Sequence, residues 1–582
     1  MILQSLTDLY EALAAKEKVP RYGYAKGKVA FLMSIDEKGE LMYITPLTEQ
    51  ITQGKTTKYI DQIREIPLPF VRSSGICPQF LCDSSAYLLG LANNGKEKRL
   101  KDCFDACKTF HNNVLQGCVS PVARAVLQFF NHWSRDLNHQ ALTNCPEILN
   151  TGFIIIEVLN HGVAHEDVEI RKAWLHYLNS AQSQTMMPCL VTGQVSPIAQ
   201  IHLKIKGVAG AQSSGANLVS FNAPCTESYG KESGLIAPVS EYGNFAYTTA
   251  LNHLLSQSTS RCQIGEDTVV FWTEGDDEAA TEAINCFLNP QNKHEEEEKL
   301  EGLMRSISKG LPIQDVDLST PCFILGLSPN AARVSIRYFL RDALGHFLSN
   351  ITAHYKRLEI VKHKDAKKYL SPTALLRETA NPNARTVTVS PLLGGTVMRA
   401  ILSDTPYPDA LFKATMLRIR ALQDNADKGI YKITSGRAAI LKACFLKMNL
   451  PQHDKEVLTV MLNKDSDNKA YVLGRLFSIL EDIQQKANPE TKSTIKDRFF
   501  NAASSSPLIT FPNLLRLSQH HQKKITSEGM RINFQKDLGE VMDKLQVDNE
   551  PFPPRLSIKE QGLFILGYYH QTQYRYTKKE DR

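Results

Sequence analysis

Residues Gly193–Lys231 read GQVSPIAQIHLKIKGVAGAQSSGANLVSFNAPCTESYGK. The run carries Lys204 and Lys206 in a predicted strand, then a loop of Gly, Ser, Gln and Asn, a second short strand, and Tyr229-Gly230-Lys231. Glycine permits the positive φ that such a loop needs, and small polar side chains let a backbone come close to a ligand. The composition fits a polar binding loop between two strands. An ordinary surface turn uses the same residues.

The flanks supply the frame. Gly152–Leu159 (GFIIIEVL) is a short β-branched apolar run, which predicts a buried strand, and a helix follows through Trp174 and Leu178. Beyond the loop, Tyr247–Leu255 reads as a helix, and Val269–Trp272 and Cys322–Ser328 read as buried strands. This alternation implies an α/β or α+β body. Towards the N-terminus, Leu3, Leu6, Tyr10 and Leu13 mark one face of a helix. Val29, Phe31, Met33 and Ile35 alternate, turn at Glu37-Lys38-Gly39 and return through Leu41, Tyr43 and Thr45 as a hairpin. Residues 52–64 are polar and basic and read as a loop. Residues 97–137 keep helical spacing, with a second start at Ser120-Pro121. The charge-rich stretch 289–302 reads as a solvated loop or a helix start.

From about residue 355 the pattern is mainly helical. After Met461, Ala470, Leu473, Phe477, Leu480 and Ile483 form one apolar stripe. Breaks at Asn488-Pro489, Ser506-Pro507 and Pro551–Pro554 cut this tail into about four helices, the pattern of a bundle. The predicted fold is α+β: a mixed α/β N-terminal body with small β-sheets, then a C-terminal α-helical bundle. The regions are 1–150 (N-terminal α/β), 151–355 (central α/β, with the polar loop), 356–460 (helical connector) and 461–582 (bundle).

Composition narrows the class. The chain has 582 residues, 42% of them hydrophobic, enough for several domains with real cores. A net charge of +6 permits a nucleic-acid partner without requiring one. Twelve irregularly spaced cysteines are too sparse for a disulfide scaffold. The N-terminal helix lacks the basic flank of a signal peptide, and no run of about 18 apolar residues predicts a membrane span. A cytoplasmic protein is expected.

Enzyme signals are weak. Gly210–Asn217 has the glycines of a phosphate loop but no following Lys-Ser/Thr. Cys103, Cys107 and His111 share a helix face, yet a zinc site draws about four ligands, usually from several elements, and the cysteines also fit the apolar stripe. His453-Asp454 and the pair His161/His165 are too short to define a metal nuclease, which needs a complete ligand shell. No catalytic constellation, metal or cofactor is expected.

Binding signals are better. Gln212, Ser213, Ser214 and Asn217, continuing to Ser220 and Asn222, offer amides and hydroxyls suited to base edges. Lys204, Lys206 and Lys231 flank them and would hold phosphates. Arg72-Ser73-Ser74-Gly75 is a second thin loop with one guanidinium, a shape that suits a minor groove. Arg333 and Arg337 stand one helical turn apart if their segment is a helix. Arg475, Lys496, Arg498, His520, His521, Lys523 and Lys524 would line a basic strip for single-stranded DNA. Solvated surface charge is the competing explanation for each.

Five long motifs then carry a resemblance: IHLKIKGVAGAQSSGANLVSFN, ESYGK, LSPNAARVSIR, AYVLGRLF and QGLFILGYYHQ. With these the chain resembles the large subunit of the type I-C CRISPR Cascade over most of its length. The resemblance implies a noncatalytic subunit of a crRNA-guided complex. It implies reading of a protospacer-adjacent motif in target double-stranded DNA, here by the loops at Arg72–Gly75 and Gln212–Asn222, with Tyr229 and the flanking lysines. It further implies help in forming the R-loop, steadying of displaced single-stranded DNA and docking of a helicase–nuclease. Implied partners are the crRNA and the handle-binding and backbone subunits. In this subtype the small subunit can arise by internal translation; Met461, with Met448 as rival, would start it. A metal nuclease at the His-Asp pair and a purely structural scaffold are the alternatives.

Overall fold

The computed structural model describes residues 1–53, 56–70, 72, 75–150, 152–181, 185–221, 223–290, 293–363, 366–385, 387–491, 493–545 and 550–576. Ser73, Ser74 and Asn222 lie outside these residues. The architecture is α+β, with small sheets and a long helical C-terminal part. The chain forms two compact units, one of Met1–Lys204 with Val219–His253, the other of Ile205–Leu218 with Leu254–Arg582. Residues 151–355 are therefore shared between the units, and 356–460 and 461–582 fall in one unit around one core, because a single apolar cluster runs from Cys262 to Tyr569.

In the first unit, the strands are β1 (Tyr24–Val29), β2 (Phe31–Ile35), β3 (Leu41–Pro46), β4 (Thr48–Gln53), β5 (Thr56–Pro67), β6 (Cys82–Asp83), β7 (Ile154–Val158), β8 (Gly162–Val163), β9 (Met186–Pro188) and β10 (Val195–Pro197). One sheet runs β3-β2-β7-β6, with β8 paired to β7. β2 and β7 are parallel and buried, which is why β7 reads as an apolar run, while β2 and β3 form the hairpin expected from the alternation at Phe31, Met33 and Ile35. β1 leaves the predicted hairpin to pair with β5 in a second sheet, ordered β1-β5-β4.

Residues 52–53 and 56–64 are therefore not a loop but belong to β4 and β5, which pair with Gln53 opposite Thr56; residues 54–55 lie outside the described residues. Thr56, Thr57, Ile60 and Ile63 give β5 strand-forming residues, but no continuous apolar face announced it. Helix Pro121–His132, capped by the Ser120 hydroxyl, packs against β2 and β7, and helix Glu97–Leu115 packs on it.

In the second unit, β11 (Arg261–Ile264), β12 (Asp267–Thr273), β13 (Pro321–Asn330) and β14 (Arg333–Ala343) form an antiparallel sheet in that order. Helix Pro391–Leu402 comes close to it through a glycine pair: a Cβ on Gly394 would lie 2.7 Å from the Ile264 carbonyl oxygen.

After Met461 the described residues form five helices, not about four: Lys469–Ala487, Ile495–Ser505, Pro507–Lys524, Glu528–Leu545 and Ile558–Tyr574. The unexpected break, at 525–527, has no Pro to signal it. Lys469–Ala487 and Ile558–Tyr574 cross at Gly474 and Gly567. A Cβ on either would stand 2.0 Å from a carbonyl oxygen of the other helix, Phe564 or Tyr471. Glycine is required at both for close approach.

Candidate nucleic-acid interface

Segment Ile205–Leu218 contains no continuous strand, only single bridges. Ile205 and Ala216 exchange two backbone hydrogen bonds, both 2.9 Å, and close a loop between them. Buried Ile205, Val208 and Ala216 anchor it, and the Ala209 N–H donates to Thr268 Oγ1 at 3.1 Å. Inside, Gly215 N–H donates to the Gln212 carbonyl at 2.9 Å. Gly207, Gly210 and Gly215 all take positive φ, and Gly210 sits where a Cβ would press on Pro329 at 3.2 Å. Gln212, Ser213 and Ser214 are exposed at the tip, and Lys206 is exposed at the root.

The loop is tied to a distant part of the chain. Asn217 N–H donates to the Ala332 carbonyl at 3.0 Å, and Val334 N–H donates to the Asn217 carbonyl at 2.9 Å. This bridge puts GVAGAQSSGAN beside the β13–β14 turn, so Asn217 and Arg333 are paired positions. Arg333 is exposed there. Two motifs more than a hundred residues apart thus build one surface.

Arg333 and Arg337 lie on a strand, not a helix. The ladder slips between Gly326 and Leu327, which leaves Arg337 at a bulge. Its Nη2 donates to Ser328 Oγ at 3.1 Å and its Nε lies 3.6 Å from Asp267 Oδ1. Asp267 is 1% exposed. Burial raises its pKa and Arg337 pulls it back down. Arg337 therefore neutralises a buried carboxylate.

In the first unit, Ser228–Lys231 is a tight turn closed by a 3.0 Å bond from Lys231 N–H to the Ser228 carbonyl. Tyr229 and Gly230 have φ of +54° and +67°. A tyrosine in this region is uncommon and costs free energy. Its ring is 98% exposed. Lys231 and Lys204 are exposed, and Ser220 is half-buried.

Arg72 is committed internally. It binds the Asp83 carboxylate, donates from Nε to the Cys77 carbonyl at 2.7 Å and lies 4.1 Å over the Tyr87 ring. Asp83 is fully buried; burial raises its pKa, and Arg72 opposes the shift. Gly75 is exposed in open space.

Two members of the C-terminal strip, Arg475 and Lys496, are structural. Arg475 is 2% exposed. Its guanidinium donates to Gln571 Oε1 (3.1 Å), the Lys464 carbonyl (3.1 Å) and Glu540 (3.0 Å). Lys496 pairs with Asp424 at 2.5 Å. Burial opposes the Lys496 charge, but Tyr568, Glu481 and Asp424 outweigh it and raise the pKa. Both were assigned from charge alone, although each sits beside apolar positions that face the core. Arg498, His520, Lys523 and Lys524 are exposed. Lys523 borders an open groove of about 440 Å³ with Gln519, Gln522, Glu528, Arg531 and Gln535. Arg531 and the three glutamines were missed; the i,i+3 pair Gln519/Gln522 and the i,i+4 pair Arg531/Gln535 were their only signal.

The histidine pairs separate. His453 Nδ1 lies 3.4 Å from Asp467, while Asp454 accepts from Asn468. His161 faces Glu37, and His165 is buried against the Glu65 carbonyl. His111 sits in the core, accepting from Leu81 N–H and donating to the Cys107 carbonyl. Among the described residues, no three His, Cys, Asp or Glu side chains are grouped to hold a metal. Nor is any described helix long and apolar enough to cross a membrane.

The loop and the β13–β14 turn together present exposed amides, hydroxyls and cations. The family of CRISPR-associated proteins described as Cas_Csd1 matches residues 6–576, and the chain belongs to it. Against curated proteins the chain has no match.

Proposed function

We propose that this chain is the noncatalytic large subunit of a type I-C crRNA-guided Cascade. It reads the protospacer-adjacent motif in duplex DNA before the guide pairs, and base pairing then supplies sequence specificity. It promotes the R-loop, steadies the displaced strand and docks a helicase–nuclease. The observation that carries the reading is the Asn217–Arg333 bridge. It holds the uncharged tip Gln212–Ser214 rigidly next to Arg333 and Lys206, in a combination of edge-reading and phosphate-holding groups. On the first unit, Tyr229 and Lys231 offer an exposed aromatic and a cation of their own. Binding without cutting agrees with the divergent partners of His453 and Asp454.

The test is the reconstituted complex with crRNA, assayed on duplexes with and without the motif. Gln212→Ala, Ser213→Ala and Ser214→Ala together abolish motif discrimination while the complex still assembles. Unchanged discrimination rejects the loop as reader. Retained discrimination in a complex without this chain rejects the function.

We further propose that residues from Met461 are also made as a small subunit. Met461 is 52% exposed in an irregular segment, and Asn468 caps the helix that follows. Met448, directly after helix Ser435–Lys447, is the rival start. Intact-mass analysis of the purified complex decides, since absence of a product beginning at either methionine ends the idea.

A further inference from the structure

The C-terminal turns of helices His294–Lys309 and Leu344–Leu358 border an open cavity of about 260 Å³. Arg305, Ser308, Lys309 and Lys356 line it, with one carboxylate, Glu359. Its aromatic wall is Tyr355 and Tyr369, edge to face at 5.4 Å. Buried Tyr355 is fixed by its hydroxyl, which donates to the Phe287 carbonyl at 2.7 Å. Tyr369 is half-buried and follows a lysine-rich turn folded on itself, where Lys362 Nζ donates to the Lys367 carbonyl at 2.7 Å and also to that of Lys368.

Arg305, Lys309 and Lys356 are exposed, and among the described residues none makes an ion pair. One cation in a last helical turn is explained by the helix dipole. Three from two helices share one cavity whose lining holds a single carboxylate; Glu301, paired with Lys368, and Glu297 also act on Tyr369, and an anion between the three cations would relieve their mutual repulsion. The sequence reading assigned nothing to this place.

We propose that this cavity is a separate nucleic-acid site that takes one nucleotide of a single strand. The phosphate sits among Arg305, Lys309 and Lys356, and the base stacks on Tyr369. Cations that follow a backbone beside an aromatic platform are what an unpaired strand needs. The cavity is too small for a duplex. The choice of nucleic acid over another anion rests on the function proposed above; the cavity itself does not.

The test uses the full chain and fluorescent oligo(dT) and oligo(rU), with the motif duplex measured in parallel. Arg305→Ala/Lys309→Ala/Lys356→Ala weakens binding of single strands at least about tenfold and lowers the salt slope by about 0.7, while duplex binding is retained. Tyr369→Leu weakens it about fivefold or more. The preferred oligonucleotide identifies the source as guide RNA or displaced DNA. Because the three cations are exposed, the melting temperature stays within about 2 °C of wild type. Single-strand affinity within about twofold of wild type overturns the inference, as does equal competition by polyglutamate, which would make the occupant an acidic peptide. A wild-type chain that reads the motif duplex but ignores both oligonucleotides also overturns it and leaves the proposed function standing.

Discussion

Two pairs of sequence motifs meet in this molecule, and they meet in opposite ways. GVAGAQSSGAN joins LSPNAARVSIR through backbone hydrogen bonds, so the side chains at the tip stay outside. AYVLGRLF joins QGLFILGYYHQ by close helix packing and side-chain hydrogen bonds: Gly474 lies on the Phe564 carbonyl and Gly567 on the Tyr471 carbonyl, Arg475 binds Gln571, and Tyr471 Oη is 2.9 Å from His570 Nδ1. Where the main chain does the holding, polar groups remain available to a ligand. Where side chains do it, even an arginine is consumed. Charge in a sequence therefore says little about binding until it is known what satisfies the backbone around it.

The contrast breaks first at Arg475. Arg475→Ala strands the buried Gln571 acceptor and the Lys464 carbonyl, while half-exposed Glu540 returns to solvent, so it costs about 3 kcal/mol in denaturant unfolding. Little loss there would mean the guanidinium is replaceable and the strip could bind DNA after all. Next, Gly474→Ala forces the crossing helices apart and costs about 3 kcal/mol in the same assay.

Acid sharpens the point at the buried histidines. Burial pushes His111 down to about 4 and His354 to about 3. Their folded-state values lie below the unfolded value of about 6.5, so the unfolded chain takes up protons first as pH falls. Their contribution is complete above pH 6.5 and is lost on the way down to 4 and 3. Between pH 6.5 and 5 each costs about 2 kcal/mol, read as a falling melting temperature. The smallest expected effect is at the loop. Replacing Gln212, Ser213 and Ser214 by alanine changes stability by less than about 0.5 kcal/mol, because these side chains are exposed. The same variant tests function in the assembled complex, so stability and recognition come apart there.

Much of the fold was legible. β7, β12 and β13 were marked by continuous apolar runs, β2 by alternation, and Ser120-Pro121 opens its helix as the capping chemistry requires. What was hidden had no local signal. β4 and β5 carry no continuous apolar run in sequence, the Arg337 bulge depends on Asp267 in another strand, and the commitment of Arg72 depends on Asp83. Of the candidate interface, the loop was readable from its glycines and amides. Its junction with Arg333 was not, because a bridge of main-chain atoms leaves no mark on residue type. The cavity at Arg305 draws cations from two helices, each unremarkable alone.

The tie between Asn217 and the β13–β14 turn also sets an order of events at the ribosome. The loop emerges more than a hundred residues before the hairpin that pins it. At about 5–20 residues per second, it waits roughly 6–20 s without its anchor. Its glycines and serines keep it soluble through that interval, so the composition that suits contact with a ligand also protects a nascent chain.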